Sequence, residues 1–230
     1  MYITLVLPFN ANGGTGRELL LLARKFRLAL FKVWNEAKRL NNYGKISMKY
    51  ELRPIAYQVL KNRRYADAVI DVVRSTILSA KALKIDLKDI EWKNWLIFQS
   101  EGEKGVGNVN ITLREDLSFA ISIGERKKVN IKPIISKRYK LVLKKLYELK
   151  RPYYSRVVIK GWGVRRGDLW IHGEIHISIR ADIYYSIVSI KQNNGKNYGG
   201  VDVNVDRINL AIINEKGELL DVKGFKFKQE

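Results

Sequence analysis

The spacing of apolar and polar positions divides the chain into a mainly helical first third, a β-rich middle and a short β unit at the end. "YITLVLP" at 2–8 has the character of a strand, and the "NANGGTG" that follows predicts a flexible connector. From Arg17 to Leu40 the residues Leu19, Leu22, Ala23, Phe26, Leu30, Val33, Trp34, Ala37 and Leu40 recur at three- and four-residue steps, which places them on one face of an amphipathic helix. "NNYG" at 41–44 ends it. A second helical block covers roughly 54–85, with Tyr65, Val69, Val72, Val73, Thr76, Ile77, Ala80 and Leu83 as its stripe.

After Ile85 the period shortens to β-type runs: "WKNWLIF" (92–98), "NVNITL" (108–113), "LSFAISI" (117–123) and "VNIKPII" (129–135). One helix interrupts them after Ser136, read as its N-cap, with Tyr139, Val142, Leu143, Leu146 and Leu149 on one side. A hairpin follows. "RVVIKGWGV" and "LWIHGEIHISI" flank "RRGD", and Leu169, Ile171, Ile175, Ile177 and Ile179 alternate with Trp170, His172, Glu174, His176 and Ser178. That alternation predicts a half-buried antiparallel sheet or small barrel. "KQNNGKNYGG" (191–200) reads as an interdomain linker, and a new β unit follows it.

With 230 residues, 46% of them hydrophobic, the chain is long enough for one large domain or two small ones. The absence of cysteine excludes disulfides, thiolate zinc sites and cysteine nucleophiles, and two histidines leave little for histidine-based catalysis. The longest apolar runs, such as "ELLLLA" at 18–23, fall short of the roughly 20 residues that span a bilayer, and the N-terminus lacks a basic signal-peptide region. The expectation is a cytoplasmic protein without a membrane partner.

Charge changes the picture more. Lys+Arg number 43 against 23 Asp+Glu, a net +20, and between Arg126 and Arg166 stand fifteen basic residues and one acid, Glu148. Interleaved with them are Tyr139, Tyr147, Tyr153, Tyr154 and Trp162. Cations beside aromatic rings are what a surface needs to neutralise phosphates while stacking bases. The predicted nucleic-acid contacts are Arg138, Lys140, Lys144, Lys145, Arg151, Arg156, Arg165 and Arg166, with Tyr153 and Trp162 as stacking residues. The plainer alternative is a solvated basic face with Tyr147 and Trp162 serving the core.

Three smaller signals remain. "GGTGRELL" puts glycines before a helix but lacks the Gly-Lys-Ser/Thr ending of a P-loop, which favours a joint over a nucleotide site. His172 and His176 lie four apart on a strand, about 13 Å, too far for one metal. Asp202, Asn204 and Asp206 fall on one side of a strand and Val201, Val203 and Val205 on the other, so they form either a wet face or, at Asp202, a metal-binding carboxylate.

"GGVDVNVDRINLAIINEKGELL" resembles the first RuvC-type motif of the TnpB/OrfB proteins, transposon-encoded RNA-guided nucleases. Asp202 matches that family's first catalytic aspartate, and Val203 and Leu210–Ala211 fit the apolar positions around it. Asn204 stands where many members carry glycine, and Arg207 where many carry asparagine. The resemblance implies an α+β protein: a first barrel strand (1–10), a helical recognition insert (11–90), an antiparallel wedge-like β-barrel with one helix (91–190), and the first strands of an RNase H-like (RuvC) fold (199–230). It further implies binding of guide RNA or target DNA. The family's catalytic glutamate, last aspartate and cysteine zinc ribbon do not occur here, so the expected chain is inactive alone. Mg²⁺ would be held at Asp202 only if a second polypeptide completed the site in trans. A structural or viral protein binding nucleic acid nonspecifically is the remaining alternative.

Overall fold

The computed structural model describes residues 1–230 apart from 41, 93–94, 125, 189–196, 204–206, 215 and 227–230. Two compact units divide the chain, Met1–Val188 and Ser189–Glu230.

The first unit opens with β1 (Tyr2–Asn12), whose odd-numbered Leu5, Leu7, Phe9 and Ala11 are buried and whose even positions face water. There is no flexible connector after it. Helix α1 (Gly13–Ala37) starts at once, and the glycines serve this joint. Gly13 takes a φ of +57°, open to residues without a side chain, and a Cβ on Gly16 would stand 3.0 Å from the Ala11 carbonyl oxygen. Close packing of helix on strand accounts for Gly16 and the left-handed turn for Gly13, while Gly14 has no neighbour within 4 Å. The expected second block is two helices, α2 (Lys45–Leu60) and α3 (Arg63–Ala82). Left-handed Lys61 breaks them apart, and the Asn62 side chain caps α3 by accepting from the N–H groups of Arg64 and Tyr65. Half-buried ion pairs, Arg53–Asp67 at 2.6 Å and Lys49–Asp71 at 2.8 Å, join the two helices.

Next come β2 (Leu96–Ser100), β3 (Ile111–Leu113), β4 (Phe119–Gly124), β5 (Lys127–Ile131), α4 (Lys137–Glu148), β6 (Tyr154–Arg165), β7 (Asp168–Arg180) and α5 (Ala181–Val188). Ser136 occupies the N-cap position of α4 but makes no side-chain cap bond. Helix α5 was not expected. The order β1-β7-β6-β2 forms an all-antiparallel sheet. Ile171, Ile175, Ile177 and Ile179 of β7 join Val157 and Ile159 of β6 on its buried face, packed with Leu19, Ala23, Phe26 and Val33 of α1 in one core. Arg166 (φ 52°) and Gly167 (φ 83°) turn the β6–β7 hairpin, both positive as a two-residue type I′ turn requires.

The expected closed barrel is absent among the described residues: β3-β4-β5 is a separate three-stranded sheet beside the open four-stranded one. Pro133 accounts for the break at one seam. A strand was expected over 129–135, but β5 stops at Ile131, two residues before a proline that has no N–H for a ladder. The segment beyond gives β1 a single hydrogen bond, from the Ile134 N–H to the Pro8 carbonyl at 2.7 Å. One bond in place of a ladder leaves the β1–β5 seam open, and β2 does not pair with β3 either.

The second unit is an antiparallel meander of β8 (Asn197–Val203), β9 (Arg207–Asn214) and β10 (Leu219–Lys226) in the order β10-β9-β8. The Asn214 side chain accepts from the N–H groups of Lys216 and Glu218 and so closes the second turn. Three strands alone do not define the RNase H-like fold that the resemblance implies. Among the described residues no helix is long and apolar enough to cross a membrane.

Candidate nucleic-acid interface

The basic residues singled out in the sequence fall into two groups at opposite ends of the long hairpin. On α4 the apolar stripe Val142, Leu143 and Leu146 is buried, which turns Arg138, Lys140 and Lys144 outward; Arg151 follows, also exposed. Lys145 differs, because its ammonium lies 2.6 Å from Glu148 and part of its charge is answered within the helix. Arg165 and Arg166 are exposed at the hairpin tip. From Tyr154 to Arg165 strand β6 advances roughly 36 Å at about 3.3 Å per residue, so the two groups would meet phosphates several nucleotides apart.

Between these ends the α1 side of the sheet carries a groove. Trp162 pairs in register with Ile171, on the face that α1 covers, and remains 48% exposed. The Arg24 guanidinium lies over its indole, with Cζ 5.3 Å from the ring centroid. Arg27, Leu28, Phe31 and Leu96 complete the walls, and the Arg27 guanidinium lies over Phe31 at the same 5.3 Å. Arg24 and Arg27 were not among the expected contacts. Their signal was present: Arg24, Arg27, Leu28 and Phe31 share one side of the helix at three- and four-residue spacing, next to the core stripe.

On the opposite face of the hairpin, Trp170 stacks on His172 with ring centroids 5.6 Å apart and planes 13° from parallel. Glycines make the room. A Cβ at Gly161 would collide with the His172 ring, and one at Gly163 would come within 2.9 Å of the Trp170 Nε1. His176 Nε2 lies 2.8 Å from a Glu174 oxygen, and because a carboxylate only accepts, that nitrogen carries the proton. This hydrogen bond, with the Lys160 ammonium at 3.2 Å, holds the Glu174 carboxyl below the usual carboxylate range. Each histidine thus has its own neighbour on this face.

Two expected contacts need correction. Tyr153 is buried, at 4% exposure, and its hydroxyl donates to the Ile111 carbonyl at 2.8 Å while accepting from the Leu113 N–H at 2.7 Å. Burial pushes its phenol above the ordinary value. The ring is a strut between β3 and the start of β6, unavailable for stacking, because the same aromatic surface that suits a base also suits the core. Tyr153→Phe is expected to cost about 1–3 kcal/mol, since the Leu113 N–H would lose its acceptor; chemical denaturation measures this. Arg156 is half-buried, and its Nε donates to Gln99 at 2.9 Å, so it serves the sheet before any phosphate.

Asp202 lies opposite Asn209 in the β8–β9 ladder and is exposed. Cross-strand partners share a face, so Asp221, in register with Ile212 three residues along β9, projects from the other side of the sheet. Asn204 and Asp206 lie outside the described residues. Among the described residues no three acids or histidines converge. The carboxylates described in this unit therefore do not fit a two-metal centre, which needs several of them around the ions.

The fold and this surface define an α+β domain in which helices cover one face of an antiparallel sheet and arginines interleave with aromatic rings along the junction. Residues 2–193 match the SSO2105 N-terminal domain, and the chain belongs to that family. An uncharacterized protein of Aeropyrum pernix is 42% identical over 99% of this chain and 56% of its own length. A second uncharacterized protein of the same organism is 41% identical over 99% of this chain and 63% of its own length. The chain thus spans about three fifths of the curated relatives it matches.

Proposed function

We propose that the chain is a nucleic-acid-binding module that holds a single-stranded or locally unpaired stretch of RNA or DNA, as the guide- or target-binding part of a TnpB/OrfB-like transposon protein. The observation that carries this reading is the groove in which Arg24 lies over the half-exposed Trp162 indole. An exposed indole backed by a guanidinium stacks any base while adjacent cations meet the phosphates. The exposed cations of α4 and of the hairpin tip extend the path at both ends, and the net charge of +20 favours a polyanion over the whole chain.

The test is binding of a labelled mixed-sequence single strand, followed by fluorescence polarisation over a range of salt. A slope of log K against log salt between about −3 and −6 is expected, as for several neutralised phosphates on a single strand. In the triple variant Arg138→Gln, Lys140→Gln, Lys144→Gln the slope should become shallower by about 2, since each lost contact removes roughly 0.7. A salt-independent affinity, or a slope unmoved in that variant, argues for a merely solvated α4 face.

Asp202 has no catalytic role within this chain on the same reading. The purified chain is expected to give no Mg²⁺- or Mn²⁺-dependent cleavage of RNA or DNA. Cleavage that disappears in Asp202→Ala would instead favour a nuclease, with carboxylates reaching Asp202 from another segment or a second polypeptide.

A further inference from the structure

Beyond Arg27 and Phe31, which also wall the Trp162 groove, lies a deeper cavity of ≈ 570 Å³ at the β2 edge of the sheet. Phe26 of α1, Asp71 of α3, and Trp92 and Trp95 of the segment leading into β2 are among its walls. We propose that this cavity receives one unstacked nucleobase carrying an exocyclic amine, from a strand lying in the Arg24–Trp162 groove. The inference rests on the nucleic-acid reading above and adds to it a base-selective subsite.

Size and shape come first. The volume lies within the 300–1,000 Å³ range of small-molecule pockets and accommodates a base with its ribose. The walls are flat rings: Phe26, Phe31, Trp92 and Trp95, the last 61% exposed at the rim. Splayed-out bases are recognised by such stacking together with hydrogen bonds to their edges.

Charge then separates a base from a phosphate. The lining holds two guanidiniums, Arg27 and Arg156, against three carboxylates, Asp71, Glu91 and Glu101. Arg156 is already bonded to Gln99. With Asp71 answered by Lys49 the lining charges balance, so nothing here favours a phosphate, whereas Arg24 waits for one outside. Carboxylates accept hydrogen bonds from the exocyclic amines of adenine, cytosine and guanine; uracil and thymine have no such donor.

Two wall residues carry a buried donor without an acceptor, Arg27 Nε and Trp92 Nε1, but both atoms are closed to solvent and so do not face the cavity. Asp71 Oδ2 is a different case: it makes no well-angled hydrogen bond, but the Lys49 ammonium at 2.8 Å neutralises it. A heterocyclic base brings flat faces for the rings and, unlike a purely apolar guest, an amine for the Glu91 and Glu101 carboxylates.

The test titrates the full chain with adenosine, guanosine, cytidine and uridine, followed by tryptophan fluorescence. Saturable quenching is expected, with at least one amine-bearing nucleoside bound roughly tenfold or more tightly than uridine. Trp95→Ala should weaken that nucleoside by about tenfold, with Trp95→Phe restoring most of it, because an aromatic face at the rim is what stacks. Equal affinity for all four nucleosides, or no change in Trp95→Ala, overturns the proposal. A matched pair of short oligonucleotides, one with an abasic site at the preferred base, distinguishes a base within a strand from a free nucleoside. If strands bind with the salt dependence above but the abasic site and Trp95→Ala have no effect, the subsite is wrong and the groove stands. Nucleoside selectivity without oligonucleotide binding leaves the subsite and removes the groove.

Discussion

Trp162→Ala is expected to weaken binding of single-stranded RNA by about 10- to 100-fold, the loss typical of removing one base-stacking ring. The indole sits on β6 where the register turns it toward α1, and about half of it is solvated. Because about half of it already meets water, its removal should lower stability by about 1–3 kcal/mol, below the roughly 3–5 kcal/mol of a core tryptophan. Arg24 would lose the ring beneath its guanidinium but keep its charge, so the salt slope should stay nearly constant while affinity falls. This combination separates a stacking role from a structural one. A core tryptophan would show the reverse: lower stability, with binding recovered once the folded fraction is corrected for.

Gly173→Ala is expected to damage the fold heavily. Gly173 lies on the buried face of β7, in register with Phe9 of β1 and Ile159 of β6. A Cβ there would collide with the Val158 carbonyl oxygen and stand 3.0 Å from the Phe9 ring. A strand carbonyl in the middle of a ladder cannot withdraw without breaking its own pairing. The expected cost is about 2–3 kcal/mol, a fall in Tm of roughly 5–10 °C for a unit of this size. Gly14→Ala makes the contrast: it lies in the first turn of α1 with nothing within 4 Å of its new Cβ, and is expected to be neutral or to stabilise by up to about 1 kcal/mol. Thermal denaturation of both variants distinguishes close packing from general intolerance of glycine replacement.

Elements whose own periodicity determines them were legible in the chain. The stripe Leu19–Ala37 is buried along α1, and the alternation from Leu169 to Ile179 marks β7, because each repeats one geometric rule over many residues. The connector reading of "NANGGTG" failed for a physical reason. Glycines are needed both where a chain is free and where backbones touch, and only tertiary packing shows that Gly16 lies against Ala11. Barrel closure failed similarly, since it depends on whether strands reach one another: Pro133 removes an N–H at the β5–β1 seam, and β2 and β3 do not pair. At the candidate interface, charge density located α4 and the hairpin tip but overlooked Arg24 and Arg27. They belong to a helix read for its apolar stripe and meet Trp162 only through the fold. Tyr153 was misread in the other direction: a tyrosine flanked by cations gives no sign in sequence that its hydroxyl bridges Ile111 and Leu113.

Ultraviolet crosslinking of a bound mixed-sequence single-stranded RNA, with the attachment sites located by peptide mass spectrometry, tests the binding surface most directly. Crosslinks at Trp162 and in the α1 peptide containing Arg24 and Arg27, together with α4 and the hairpin tip, and none at buried Tyr153, are the predicted result. Crosslinks absent from the α1–β6 groove, or confined to residues 189–230, would contradict it.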